Sequence, residues 1–486
     1  MAILGAYIVP HPPVLLPEVG KDETLKLAAT TNGYMEAAKS IKEAAPDTIV
    51  IISSHMELYS DYFHIAPGKT ISGNMGEFGA EEVSFTIEYD EELRDGLTAF
   101  CMESNVAAGT FGSVLKTLDH GTMIPLYFLR KAYGDTPLPK FVRVGISGLL
   151  LHEHYRLGML IRQAADKIGK NIVVIASGDL SHMMSEASPY GFAKEGPIYD
   201  EKLMAAMEKA DFEELFSFEP EFLEKAAECG HSCFAMLAGA LDCIEVKARK
   251  LSYEGPFGIG YGIVSFTPIK QEATAGKSFY ELYTSRIRDD IEVVRAAEDA
   301  YTGLARKALE SFVRYSAETG SEGSIQRFIR TDTISNLSKE MPEELRKRRA
   351  GCFVCIKKLG RLRGCIGTIE PVLTNVGEEI ITNAISVAIN DTRFEPVSVD
   401  ELDLLTYSVD VMGEAETIAS EDELDAKRYG VIVTSGDKRG VLLPDLEGVD
   451  TVSEQLMYAK QKAGIKDNEK VTIKRFEVER HPVKED

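Results

Sequence analysis

Five stretches of the chain are short runs that are apolar at nearly every position: ILGAYIV (3–9), TIVIISS (48–54), FVRVGIS (141–147), NIVVIAS (171–177) and YGIVSF (261–266). Runs of this length, rich in β-branched residues, predict strands buried on both faces. Between them, the stretches around 24–44, 155–169 and 199–209 place apolar residues three and four apart, the helical period. This alternation over residues 1–270 predicts an α/β domain with a largely parallel central sheet.

The pattern changes after the polar stretch TPIKQEATAGKS (267–278), and residues 271–295 read as a linker and the start of a helix. One long helix is predicted over 279–317, with Ile291, Val294, Ala297, Tyr301, Leu304, Ala308 and Phe312 along one face. Hairpin patterns follow at CFVCIKKLGRLRGCIG (352–367) and VIVTSGDKRGVLLP (431–444), with an apolar helix near 378–390. Residues 296–486 therefore predict a smaller α+β domain.

At 486 residues the chain is too long for one ordinary core, in keeping with two or three domains. Its net charge of −23, with no basic stripe, excludes a general binder of nucleic acid or anionic membrane. No apolar run reaches the roughly 18 residues of a membrane span. The N-terminal apolar stretch has no basic residue before it and runs into PHPP, so it reads as a strand and not a signal peptide. Seven scattered cysteines, an odd number, predict no disulfide framework and fit a reducing cytoplasm.

Candidate chemistry lies in the histidines. His11 sits between prolines straight after the first strand, His55 follows the second, and His182 follows NIVVIAS within SGDLSH. Open α/β sheets bind ligands outside the carboxyl ends of their strands, so these three histidines are expected to converge on one crevice. Imidazole suits Fe, Zn and Cu, and two imidazoles with a carboxylate form the facial triad of non-heme Fe(II) oxygenases. His64, His152 and His154 lie in polar surroundings and are read as solvated surface groups; His481, in a charged tail, carries no signal.

Taken together, PHPP, SSHM (53–56), DHG (119–121), SGDLSH (177–182) and ECGHSCFAMLAGAL (228–241) resemble the LigB-type class III extradiol dioxygenase superfamily, on the branch that includes MEMO proteins. The resemblance covers about residues 1–268 and implies that His11 and His55 are metal ligands. It implies further that His182 is the acid/base histidine and that His120 is a second pocket histidine bonding oxygen or substrate. The third ligand stays open, because the family has a glutamate there in true dioxygenases and a cysteine in MEMO proteins. This chain offers both, as Glu228 and Cys229, with His231 close behind. Glu228 suits a hard Fe(II) site, whereas Cys229 suits a softer one holding Zn, Cu(I) or a thiolate-bound iron. Glu254, in SYEGPFGIGYG, is a further candidate, read as a rim carboxylate paired with a nearby Lys or Arg.

With Fe(II) the resemblance implies ring cleavage of a catechol-like aromatic substrate, His182 taking and returning a proton. Two other readings remain: a non-catalytic interaction protein, its metal structural or stored and its second domain recruiting a partner, and an enzyme acting without ring cleavage in concert with a radical-SAM partner. Association into a homo-oligomer is left open by the sequence.

In the second domain, LRGCIGTIEP (362–371), NAISVAINDTRFEPVS (383–398) and YGVIVTSGDKRGVLLP (429–444) resemble the AMMECR family over about 296–485. Arg363 lies two residues before Cys365, and Gly364 and Gly367 leave little bulk beside the thiol, conditions for a reactive thiolate. The same glycines also suit tight strand packing around a small buried Cys365. Arg363, Asp391, Arg393 and Glu395 are candidates to line the same cleft. Cys352 and Cys355 are spaced to face opposite sides of a strand, so core packing is expected there rather than a zinc site.

Overall fold

The computed structural model describes residues 2–112, 117–269, 278–319, 328, 332–359, 361–446, 449–466 and 469–482. It divides into two compact units, Met1–Tyr283 and Thr284–Asp486, each considered by itself.

In the first unit, four parallel strands stand in the order Lys140–Gly145, Thr48–Ser53, Ile172–Ser177, Ile3–Val9, and two antiparallel strands, Tyr261–Pro268 and Val246–Glu254, extend the sheet at one edge. Alternate side chains enter opposite cores. Ile8, Val50, Ile52 and Val174 join the layer holding helices Leu151–Ile168 and His231–Ala240, whereas Tyr7, Val9, Ile49, Ile51 and Val173 join the layer holding helices Ala28–Ala44 and His120–Tyr133. The expected largely parallel sheet is present. The strand at 261–268 is antiparallel, and Val246–Glu254 was not anticipated.

The second unit is α+β. An antiparallel sheet in the order Arg361–Gly367, Cys352–Lys358, Leu405–Met412, Val478–His481 buries one face on helices Ala300–Thr319 and Val376–Ile389. A second sheet contains the hairpin Gly430–Ser435/Lys438–Leu442. The single helix expected over 279–317 is two helices, Phe279–Ala296 and Ala300–Thr319. Between them the Asp299 carboxylate accepts from the Tyr301 and Thr302 amides, both at 3.0 Å, and starts the second helix afresh as an N-cap. Val294 and Ala297, placed on the apolar stripe, are exposed. Most of the polar stretch at 267–278 lies outside the described residues. Among the described residues, no helix is long and apolar enough to cross a membrane.

Candidate metal centre

The sheet register sets the carboxyl ends of three strands side by side, with Ser177 opposite both Val9 and Ser53. The chain then leaves each strand carrying one of the signalled histidines. At the first exit, Pro10 and Pro12 flank His11; the Tyr34 hydroxyl holds the Pro10 carbonyl, and the His11 amide donates to Asp179 Oδ1 at 2.7 Å. PHPP is thus a braced exit that fixes where one imidazole points.

That imidazole has its tautomer dictated by its neighbours. Ser177 Oγ donates to the Gly121 carbonyl at 2.6 Å, which uses the only hydroxyl proton. Ser177 Oγ therefore accepts from His11 Nδ1–H at 3.0 Å, and His11 Nε2 is left with a free lone pair. His11 Nε2 faces His55 Nε2 at 3.0 Å and Cys229 Sγ at 3.5 Å. Ligand atoms each about 2.0–2.3 Å from one ion stand roughly 3–3.7 Å apart, so these separations suit a shared cation.

His120 closes the group. It is the first residue of helix His120–Tyr133, its ring centroid 4.0 Å from that of His55 and 5.3 Å from that of His11. Among the described residues, nitrogens of His11, His55 and His120 lie within 4.8 Å of one another, a grouping able to hold a metal ion. His11 is buried, His120 half-buried and His55 exposed, so the group opens to solvent on the His55 side. Burial, then the neighbouring imidazoles, lowers the pKa of His55 and of His120 to about 4. Three neutral imidazoles, each offering one ring nitrogen to the group, fit a transition metal.

The ring positions are fixed from behind. Asp119 caps the His120 helix, accepts from Ser53 Oγ at 2.7 Å and is ion-paired to the buried Arg143. Burial pushes the Asp119 carboxyl up, but Arg143 and these hydrogen bonds outweigh it and hold the pKa at about 2. Ser53 Oγ also accepts from the His55 amide at 3.2 Å, so one carboxylate and one hydroxyl align both histidines.

His182 stands beside this group. Its Nδ1–H donates to the Ala227 carbonyl, and its Nε2 lies 3.8 Å from Asp179 Oδ2. Burial lowers the His182 pKa, but the Asp179 carboxylate outweighs burial and leaves it raised. Asp179 itself is buried and spans the site, one oxygen on the His11 amide and the other toward His182. Sequence reasoning missed it; its place inside SGDLSH was the available signal.

The acidic candidates are engaged elsewhere. Glu228 accepts from the His231 amide at 2.5 Å, at the start of helix His231–Ala240, and is not part of the histidine group. Cys229, not Glu228, is the one of the pair beside His11. Glu254 accepts from the Thr30 amide and Thr30 Oγ1, both at 2.6 Å, in the first turn of helix Ala28–Ala44, which replaces the Lys or Arg partner expected for it. His231 is buried between Tyr199 OH and the Leu215 carbonyl and serves packing. His64, His152 and His154 are buried rather than solvated, as is His481, which stacks on Tyr301 with centroids 3.8 Å apart.

In the second unit the expected cleft residues do gather. The Cys365 amide donates to Asp391 Oδ2 at 2.9 Å, Arg393 pairs with Asp391, and Arg363 bonds the Glu395 carbonyl and the Glu401 carboxylate. The free thiolate expected at Cys365 is absent, because its sulfur is bonded to that of Cys355. Cys355 is accordingly not a core residue, whereas Cys352 is. A cysteine set expected to be free of disulfides thus contains one.

Two family models match the chain, one in each unit. Residues 5–264 match the family described as the catalytic LigB subunit of aromatic ring-opening dioxygenase, and residues 304–481 match AMMECR1. The protein CA_C1420 of Clostridium acetobutylicum is 39% identical over 489 residues, covering 99% of each chain. The 2-aminophenol 1,6-dioxygenase beta subunit of a Pseudomonas species is 26% identical over 301 residues, covering 55% of this chain and 95% of that one. A solved structure, PH0010 from Pyrococcus horikoshii, is 28% identical with a TM-score of 0.31, covering 38% of this chain and 90% of that one. The chain belongs to the LigB family of aromatic ring-opening dioxygenase subunits, its LigB domain followed by an AMMECR1 domain.

Proposed function

We propose that the LigB domain is a metal-dependent oxygenase for small aromatic compounds with adjacent hydroxyl or amino groups. In this reading His11, His55 and His120 hold Fe(II), and His182 moves protons. The observation that carries it is the meeting of three neutral imidazoles beside the Asp179–His182 pair. A storage site needs no such acid/base group. The relative that acts on 2-aminophenol supports the substrate class.

Bound there, Fe(II) would supply the electronic link between an electron-rich ring and dioxygen. The chain's own residues do the rest. With Nδ1–H fixed on the Ala227 carbonyl, His182 Nε2, which faces Asp179 Oδ2, is the nitrogen that takes a proton from the substrate hydroxyl. Asp179 stabilises the imidazolium that results and steadies His11 through its amide. Phe78, 5.4 Å from the His120 ring, and Tyr190, 5.3 Å from the His182 ring, offer apolar walls for an aromatic ring.

The test uses the full chain loaded anaerobically with Fe(II), with oxygen uptake followed on addition of 2-aminophenol or catechol. His11→Ala is expected to lose bound iron, and His182→Gln to keep iron while losing roughly 10²–10⁴-fold in uptake. Uptake in His182→Gln equal to wild type, or an iron-loaded chain inert toward both compounds, overturns the reading. A second reading rests on Cys229 Sγ at 3.5 Å from His11 Nε2: a thiolate ligand selects Zn or Cu(I) and turns the site away from ring opening. It predicts that Zn binds and Fe(II) does not, with Cys229→Ala abolishing Zn binding.

A further inference from the structure

The cysteine pair of the second domain has no part in the function proposed above. Strand Cys352–Lys358 is two-faced. Cys352, Val354 and Ile356 face the core; Phe353, Cys355 and Lys357 face the other side, where Ser408 and Thr406 of the neighbouring strand stand opposite Cys355 and Lys357. Cys355 therefore sits half-exposed on the polar part of that face, beside Ser408, Thr406 and Lys357, away from the end where Phe353 packs on Met412, Ile432 and Phe476.

Its partner reaches that face through a β-bulge. Lys358 pairs with Arg361 and Lys357 with Leu362, but Ile356 pairs with Gly364 and Cys355 with Cys365, so Arg363 is the extra residue. Without the bulge, Cys355 would face Gly364, and Cys365 would point toward the core. Arg363 is pinned by Glu401 through two bonds of 2.9 and 3.0 Å, which holds the shifted register. The Cys365 amide turns outward to Asp391, so the cysteines form a non-hydrogen-bonded pair, the kind whose side chains lie closest. Strand Arg361–Gly367 is at the edge of its sheet, and Cys365 is half-exposed there.

A cross-link between residues ten apart, already registered as a hairpin, closes a very short loop, the case in which chain-entropy stabilisation is least. A half-exposed pair whose cross-link closes so short a loop fits reversible chemistry better than a structural staple.

We propose that Cys355 and Cys365 form a thiol–disulfide exchange centre whose co-reactants are low-molecular-weight thiols and their disulfides. In the reducing direction a thiolate attacks one sulfur, the protein S–S bond breaks, and the other cysteine leaves as a thiolate that takes up a proton. A second thiolate attacks the resulting mixed disulfide, freeing the first cysteine and releasing the small disulfide. Two small thiols lose two electrons in total, and the protein pair gains two electrons and two protons.

The test incubates the full chain with reduced and oxidised glutathione over a series of ratios, followed by brief alkylation of the native chain and peptide mass spectrometry. Cys355 and Cys365 are expected to pass together from linked to alkylated as the ratio becomes more reducing, while buried Cys352 stays unlabelled in the folded chain. In Cys355→Ser, Cys365 is expected to accumulate as a glutathione mixed disulfide. A pair that stays linked at every ratio is a static cross-link, and a pair alkylated at every ratio never forms the bond; either outcome overturns the proposal. So does a Cys365 that takes up no glutathione in Cys355→Ser. The wild-type titration decides the matter even if the variant misfolds.

Discussion

Ser177→Ala tests the tautomer argument on which the metal centre rests. Ser177 is fully buried, and its hydroxyl joins the Gly121 carbonyl at 2.6 Å to His11 Nδ1 at 3.0 Å. Removing it leaves one buried acceptor and one buried donor without a partner, at about 1–3 kcal/mol each in folding stability. The imidazole also loses the acceptor that keeps its proton on Nδ1. In apo protein the proton can then move to Nε2 and occupy the lone pair that would hold the ion. Loss of an outer partner of a ligating histidine lowers metal affinity roughly 10–100-fold, or about 1.4–2.7 kcal/mol. The assay is competition for the metal against a chromophoric chelator, with thermal unfolding of the apo protein alongside. The expected result is weaker binding together with lower stability. A variant that loses stability yet binds metal like wild type would refute the claim that Ser177 selects the tautomer.

Gly178 lies where the turn carrying Asp179 meets the turn carrying Cys229, and an added Cβ would fall on the Gly230 backbone. Gly178→Ala is expected to cost about 1–3 kcal/mol and to weaken metal binding by separating the two turns; wild-type melting and metal stoichiometry would sink the close-approach argument. In the second domain, burial raises the pKa of Glu401 from its ordinary value of 4.5, but Arg363 and Lys358 outweigh burial and lower it to about 2. A depressed folded-state pKa contributes stability that is fully present above pH 4.5 and lost as pH falls toward 2, up to about 3 kcal/mol. Chemical denaturation across that window is expected to give a shallower acid slope in Glu401→Gln, and an unchanged slope would disprove the assignment.

What was legible in the sequence follows from what each signal depends on. The buried strands were readable because both faces of a parallel sheet are covered, which leaves continuous apolar runs. His11, His55 and His182 could then be placed, since strand ends of such a sheet converge whatever the loops do. Val246–Glu254 was not readable: it is an edge strand whose sequence VKARKLSYE carries the charges that protect an edge, and it reads as a polar loop. Asp179 was hidden for a related reason, because an aspartate in a turn ordinarily bonds its own backbone, and only the fold shows it bridging the amide of His11, 168 residues away in sequence, and His182. The polarity of sequence neighbours misled at His64, His152 and His154, because burial is decided by tertiary neighbours. The cysteine pair shows the limit most sharply. Side-chain parity correctly put Cys352 and Cys355 on opposite faces, and the same parity carried around a two-residue turn pairs Cys355 with Gly364 and sends Cys365 to the core. One extra residue reverses that result, and it is Arg363, whose interaction with Glu401, 38 residues on, has no local signature. The face that Cys365 occupies is therefore set by a long-range ion pair acting through register, and local pattern could not have revealed it.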